Sequence, residues 1–200
     1  MIKRLTAICT LAALAAAAPA SPPPAIPATP APVEALLYAQ PFCLEQGYEY
    51  SWRAERPVVV EGYILVLQVN PDFVYPRQVA YPVLYVGDQT AERVNIGYES
   101  GRVIAIVPEK VDLSRVPIWF GTPNLPDQVD AETISAEQAK AATAGIEPFG
   151  SKAVDASLRA GGEEMTFADQ ADLLRHIATL IRKYSPEEKV LADSLLMIGR

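Results

Sequence analysis

The sequence has few of the residues on which common metal, nucleotide and triad chemistries depend. It contains one histidine in 200 residues, His176, and two cysteines, Cys9 and Cys43. A single histidine excludes a multi-histidine metal site. A glycine-rich phosphate loop, a Gly-x-Ser-x-Gly elbow and an Asp-x-Asp-x-Asp calcium loop are all missing from the sequence. The sequence therefore predicts no metal, no cofactor and no catalytic residue of a common enzyme class.

The sequence also lacks an apolar run long enough to span a membrane. The apolar residues at 5–18 follow two basic residues and end at Pro19, whereas a membrane-spanning helix needs about 20 apolar residues. Small residues then form a cleavage site typical of a secretory signal, with the cut expected after Ala20. We predict a signal peptide at residues 1–20, an exported protein and no transmembrane anchor.

Export changes the cysteine content and the charge of the chain. Loss of the signal leaves Cys43 as the only cysteine, so no internal disulfide can form. Removal of Lys3 and Arg4 changes the formal charge from −7 to −9. Because nucleic acid and anionic membrane surfaces repel such a chain, neither is an expected partner. We expect a periplasmic location in a Gram-negative cell, with secretion to the extracellular space as the alternative.

Proline density divides the exported chain. Residues 21–40 are rich in proline and alanine, a composition that favours extended polyproline II and supplies few side chains for a core. We predict a semi-rigid spacer there, or a disordered tail without further role. A β-sandwich-like domain is predicted at residues 41–126 and a helical region at residues 127–200.

Short apolar runs separated by turn residues predict the strands. The run at 58–69, VVVEGYILVLQV, is apolar on both alternating faces, which is typical of a central strand covered on both sides. We expect Gly62 to mark a bulge that turns Glu61 towards water. Further strands are predicted at 79–86, 92–98, 102–107 and 118–120. The predicted fold class is mainly β with C-terminal helices (α+β): an antiparallel Ig-like β-sandwich, or less favoured a small barrel, followed by two or three α-helices.

Helical spacing appears after residue 130. A short alanine-rich helix is predicted at 136–144, and the glycine-containing stretch 147–164 is interpreted as a loop. A stronger helix is expected to open at Thr166, and the last helix to begin at Ser185 and form a hairpin with it. The apolar faces of these two helices are Leu173, Leu174, Ile177, Leu180, Ile181 and Tyr184, and then Val190, Leu191, Leu195 and Ile198.

Aromatic residues are the best positive indication of a binding site. In the segment GYEYSWRAER at 47–56, Tyr48, Tyr50 and Trp52 share one face of an extended chain. Alternation with polar residues favours the core for these three, yet an exposed strip could bind a ligand. The candidate ligand-binding residues are Tyr48, Tyr50, Trp52, Tyr75, Tyr81 and Tyr85.

Two other features have a structural and a functional interpretation. Cys43 and His176 could pair as nucleophile and base, but Glu45 close to the thiol has the wrong charge for activating it. We expect His176 to be a partly exposed helix residue, and Cys43 to be either a small buried side chain or an exposed thiol able to form an intermolecular disulfide. Trp119 and Phe120 are expected to fasten the sheet to the helices.

The sequence favours a non-enzymatic binding module of the cell envelope. Its expected partner is an envelope or extracellular protein, or less favoured a glycan. The alternative is a structural or assembly protein whose C-terminal helical hairpin mediates homo-oligomerisation or docking. A hydrolase of unfamiliar type is the third hypothesis.

Overall fold

In the part of the chain that the structure describes, the protein has an α+β fold: eight strands form one open sheet, and three α-helices lie towards the C-terminus. The structure is a computed structural model that describes residues 31–50, 58–69, 83–97, 99–121, 140 and 143–198. The strands are β1 (Ala31–Pro32), β2 (Ala35–Glu49), β3 (Val58–Gln68), β4 (Val83–Val86), β5 (Gln89–Ile96), β6 (Arg102–Val107), β7 (Ile118–Gly121) and β8 (Met165–Phe167). The helices are α1 (Gly150–Gly161), α2 (Gln170–Tyr184), a 3₁₀ turn (Pro186–Glu188) and α3 (Lys189–Leu196).

The eight strands follow the order β1-β7-β4-β5-β6-β3-β2-β8. All neighbours are antiparallel except β8, which lies parallel to β2. The strand β5 joins the two halves, since its first residues pair with β4 and the rest with β6. Because this order has two ends, the sheet is open. The described strands confirm the α+β class but not the predicted sandwich or barrel.

Two hydrophobic clusters cover the two faces of the central strands. The first cluster, which we call the strand-side core, packs between the sheet and α1. It contains Leu65 of β3, Ala105 of β6, Phe120 of β7 and Val154 of α1. The second cluster, which we call the helix-side core, lies on the opposite face of the same strands. There the alternate strand residues, such as Ile64, pack against α2 and α3. Four consecutive residues of β3, Ile64 to Leu67, are completely buried. The prediction of a central strand covered on both sides is confirmed for this part of the run.

The N-terminal end of β3 is more exposed. Val58 and Val60 keep 61% and 53% of their surface, and the pairing with β2 shifts register between Cys43 and Tyr48. Gly62 lies where a Cβ atom would come 2.0 Å from the carbonyl oxygen of Val107. The Glu61 side chain is partly exposed, as the sequence predicts, but it pairs with Lys110. The predicted bulge is not at Gly62, which pairs in register with Phe42.

The structure differs from the predicted spacer, because β2 begins at Ala35 within residues 21–40. Leu36, Tyr38 and Ala39 are buried in the two cores. Their apolar side chains supply the burial that the preceding proline-rich stretch cannot, so the strand extends upstream of Pro41.

The interpretation of residues 147–164 as a loop is wrong, since α1 occupies most of them. Its glycines lie at the ends. Gly150 and Gly162 have positive φ angles of 74° and 85°, a conformation that glycine adopts without strain. Gly161 packs against the backbone of β2, where a Cβ atom would come 2.0 Å from the carbonyl oxygen of Ala39.

The predicted helical hairpin is present, with different boundaries. The helix α2 begins after Asp169, whose side chain accepts a hydrogen bond from the Asp172 N–H at 2.9 Å; Thr166 belongs to β8 instead. In α3, Leu195 is buried but Val190 is 81% exposed. The apolar face predicted for the last helix is therefore only partly covered. Most of the helix predicted at 136–144 lies outside the described residues.

Candidate functional site

Tyr48 and Tyr50 pack into the helix-side core. Tyr50 is completely buried, and its hydroxyl donates to the carbonyl oxygen of Thr90 at 3.0 Å. Tyr48 is partly buried, and its hydroxyl donates to Glu92 Oε2 at 3.3 Å. Burial raises the pKa of both Tyr48 and Glu92, although the hydrogen bond from Tyr48 opposes the rise for the carboxyl. The ring of Tyr50 is thus unavailable for stacking on a ligand.

Tyr85 also faces inwards. Its ring stacks on Trp119 at a centroid distance of 4.5 Å and an angle of 17°, and both residues are buried. The Trp119 Nε1–H donates to the carbonyl oxygen of Gly87 at 3.0 Å. This pair fastens β4 to β7, while the neighbouring Phe120 lies in the strand-side core together with Val154 of α1. The other three candidate aromatics, Trp52, Tyr75 and Tyr81, lie outside the described residues.

The two edges of the sheet are short. The strand β1 has two residues, one of them Pro32, and β8 has three. Short edges and proline are common protections against pairing with a further strand. The described edges therefore give little support to recognition by strand addition.

A pocket of about 300 Å³ opens beside α1. One wall is a single face of α1, because its lining residues recur at helical spacing. These residues are Ser151, Val154, Asp155 and Leu158. The remaining lining comes from Tyr63 of β3 and from the loop after β6, namely Val111, Asp112, Leu113 and Ser114. We call this site the acidic pocket.

One carboxyl in the acidic pocket accepts two hydrogen bonds that favour its ionised form. The N–H and the hydroxyl of Ser114 donate to Asp112 Oδ1 at 3.1 and 2.6 Å. These bonds, assisted by Arg115, lower the pKa of Asp112. Burial raises the pKa of Tyr63, so its hydroxyl stays protonated and can donate or accept.

A charged cluster lies next to the acidic pocket on the same face of the sheet. Lys110 Nζ bridges Glu61, at 3.1 Å, and Glu164. The Cys43 thiol donates to Glu164 Oε1 at 3.3 Å, and Lys110 Nζ lies 3.8 Å from the same sulfur. The hydrogen bond to Glu164 raises the pKa of Lys110. This Lys110 cluster joins the loop after β6 to β3 and to the start of β8.

The environment of Cys43 does not activate its thiol. Burial, the hydrogen bond to Glu164 and the negative charges of Glu164 and Glu61 all raise the pKa of Cys43, while Lys110 opposes them. A raised pKa lowers the fraction of thiolate, which is the nucleophilic form.

The structure does not bring Cys43 and His176 together. His176 Nε2 lies 3.0 Å from Gln40 Oε1, and Gln40 shares its face of β2 with Tyr38 and Phe42 in the helix-side core. Cys43, an odd number of positions along the strand, points to the opposite face with Glu61. A thiol and imidazole pair would need both groups on one face.

His176 belongs to a hydrogen-bonded network inside the protein. Gln40 Oε1 also accepts from the Tyr38 hydroxyl at 2.5 Å, and Gln40 Nε2 donates to the carbonyl oxygen of Glu163 at 3.4 Å. The imidazole packs against Phe167 at 5.4 Å between ring centroids. Burial lowers the pKa of His176 and so favours the neutral ring. Because Gln40 Oε1 is an acceptor, its contact with Nε2 favours the tautomer with the proton on that nitrogen.

This lowered pKa predicts a loss of stability in acid. The unfolded chain binds the proton at about pH 6.5, above the pKa of the folded state, so the stabilisation is complete above about pH 6.5 and decreases as the pH falls through the folded pKa. We expect urea unfolding to show a larger loss between pH 7.5 and pH 5 for the wild type than for His176→Gln, which keeps a donor to Gln40. The raised pKa of Glu92 acts in the opposite direction but is common to both proteins. Equal losses would contradict the prediction.

Within residues 31–50, 58–69, 83–97, 99–121, 140 and 143–198, no group of three or more His, Cys, Asp or Glu side chains could hold a metal ion. None of the helices in the described part of the chain is long and apolar enough to cross a membrane. Comparison with protein-family models, curated proteins and solved structures finds no match to this chain.

Sequence reasoning missed the acidic pocket. The serine, aspartate and leucine at positions 151, 155 and 158 lie in the stretch interpreted as a loop. A helical spacing of Val154 and Leu158 was the available signal, but the surrounding glycines obscured it. The opposite wall comes from residues 111–114, and only the folded sheet places these beside α1.

Proposed function

We propose that the protein is an exported, non-enzymatic binding module of the cell envelope, and that it recognises a protein partner through the acidic pocket. One observation carries this proposal: aliphatic side chains, hydroxyls and two carboxylates converge on a single concave site. Small binding sites typically combine an apolar lining with a few placed polar groups. The signal-like residues 1–20 support export to the periplasm or beyond.

The orientation of the three candidate aromatics in the described part of the chain supports a protein partner over a glycan. Stacking on a sugar needs an exposed ring face, whereas Tyr50 and Tyr85 are buried and Tyr48 is partly buried. Glycan binding remains the less favoured form of the proposal. A hydrolase of unfamiliar type ranks third, and the separation of Cys43 from His176 counts against a thiol enzyme.

A bulky substitution on the α1 wall of the acidic pocket tests this function. Ser151 is exposed and lines the pocket, so Ser151→Trp is expected to obstruct the site without disturbing either core. We would express the full chain in a Gram-negative host, recover it from the periplasm, immobilise it and capture envelope proteins. A partner retained by the wild type is expected to be lost with Ser151→Trp.

The matched control is Ala156→Trp, which places the same ring on an exposed position of α1 outside the pocket. It is expected to retain the partner. The proposal fails if Ser151→Trp keeps the partner, or if the protein remains in the cytoplasm with residues 1–20 attached. Circular dichroism and thermal melting would show that both variants are folded.

A second candidate, assembly or docking through the helical hairpin, is favoured by exposed apolar residues at the C-terminal end. Val190, Met197 and Ile198 are 81%, 60% and 39% exposed, and apolar surface of this kind often marks an interface. A Val190→Lys variant in the same capture experiment separates the candidates. Loss of the partner, or of self-association, in that variant alone would favour the hairpin.

A further inference from the structure

We infer that the acidic pocket receives an aliphatic cation, namely the side chain of a lysine or arginine that the protein partner presents. This inference rests on the proposed function and specifies the chemistry that the same site would recognise.

The size of the pocket suits one extended side chain. Its volume of about 300 Å³ lies at the lower end of the range for ligand sites, about 300–1,000 Å³. A folded domain or a long peptide would need a larger surface, whereas one inserted side chain can act as an anchor for an interface.

The apolar lining matches the stem of a basic side chain. Val154 and Leu158 come from α1, and Val111 and Leu113 from the opposite loop. Leu113 and Val154 are buried in the strand-side core and hold the two walls in place. The partly buried Val111 and Leu158 are therefore the residues that offer apolar surface to a ligand. Lysine and arginine bury their methylene groups on such surfaces while the charged end stays close to water.

The polar lining matches the charged end. Asp112 and Asp155 stand on the two walls, Ser114, Ser151 and Tyr63 add hydroxyls, and none of the described lining residues is basic. Asp112 is ionised at neutral pH like any exposed aspartate, and the hydrogen bonds from Ser114 lower its pKa further. The negative charge of the whole chain, −7 before processing, would also attract a basic partner.

One cation already reaches the edge of the pocket. Arg115 Nε lies 3.0 Å from Asp112 Oδ2, and its side chain is 84% exposed. Exposed ion pairs of this type contribute little to stability, so an incoming cation can displace Arg115 at small cost. Arg115 should therefore compete with the ligand, and its removal should tighten binding.

The test is an NMR titration of the folded protein with Nα-acetyl-lysine methylamide. The uncharged comparison is Nα-acetyl-norleucine methylamide, which has a similar apolar stem. We expect the lysine derivative to shift the signals of the pocket residues at low salt and the norleucine derivative to bind at least about three-fold more weakly, as expected for one exposed charge pair. High salt should remove this difference.

Charge variants define the site. Asp155→Asn is expected to weaken binding by about three-fold, and Asp112→Asn combined with Asp155→Asn by about ten-fold. Arg115→Gln is expected to strengthen binding by up to about three-fold. Both aspartates are on the surface, so these variants should fold. Equal binding of the two derivatives, or unchanged binding by the double variant, would overturn the inference.

The outcomes also separate this inference from the proposed function. If Ser151→Trp abolishes capture of a protein but the lysine derivative does not bind, the pocket recognises its partner by other chemistry. If the lysine derivative binds with the expected charge dependence but no captured protein depends on Ser151, the site takes a free small amine and the protein-binding function is wrong.

Discussion

Replacing Leu173 by alanine is expected to lower the free energy of unfolding by about 2–5 kcal/mol, because a fully buried leucine leaves both lost hydrophobic burial and a cavity. Leu173 has no exposed surface and lies in the helix-side core with Phe42, Ile64 and Ile104 of the sheet. Urea unfolding followed by circular dichroism measures the change. An effect of this size would show that α2 and the sheet share one cooperative core.

Val190→Ala is the matched control from the same hairpin. Val190 is 81% exposed, so its truncation should change stability by no more than about 0.5 kcal/mol. If Leu173→Ala cost less than about 1 kcal/mol, or if the hairpin melted separately from the sheet, α2 would be an appended element. Because α2 supplies part of the core, deletion of residues 166–200 would unfold the protein, and point variants in α3 are the better probe of docking.

Local patterns explain which parts of the fold can be predicted from the sequence. The apolar residues of α2 recur at helical spacing, from Leu173 to Tyr184, and Ile64 to Leu67 form a continuous buried run. Both signals are contained in a few consecutive residues. The hydrogen-bonded order of the strands is not contained in any local pattern, which is why the sequence favoured a sandwich where the described strands form an open sheet.

The acidic pocket could not be predicted for a related reason. It needs Tyr63, residues 111–114 and one face of α1 to meet, and these segments are distant in sequence. The aromatics that attracted attention in the sequence have a simpler explanation where they are described. Tyr50 follows the polar Glu49 and lies on the buried face at the end of β2. Tyr85 lies in β4 between Leu84 and Val86, which are buried as well.

The glycines around α1 illustrate how tertiary contact can reverse a local interpretation. Glycine is a poor helix former, which favours a loop. Gly161 nevertheless lies in the last turn of α1, which packs against β2. A side chain does not fit there, because a Cβ atom would come 2.0 Å from the Ala39 carbonyl oxygen and 2.7 Å from its carbon. One turn earlier, the Ser157 hydroxyl donates to the carbonyl oxygen of Leu36 at 2.6 Å. These two contacts hold the pocket wall on the sheet.

Gly161→Ala is therefore expected to destabilise the protein by about 1–3 kcal/mol, the usual cost of overpacking. In an exposed helix, alanine in place of glycine would instead stabilise by about 1 kcal/mol. A loss of stability would therefore indicate overpacking against β2, and a gain would indicate that the position is open. Urea unfolding gives the change in stability. Since the overlap is with backbone atoms, relief requires α1 to move, and the lysine derivative should then bind more weakly to the acidic pocket.

The reverse substitution on the exposed side of the same helix provides the control. Ala156→Gly should cost about 0.5–1 kcal/mol through helix propensity alone and leave binding at the pocket unchanged, because residue 156 does not line it. If Gly161→Ala were stabilising instead, α1 would not approach β2 this closely. The position of the pocket wall, and with it the match between the site and a basic side chain, would then lose its structural basis.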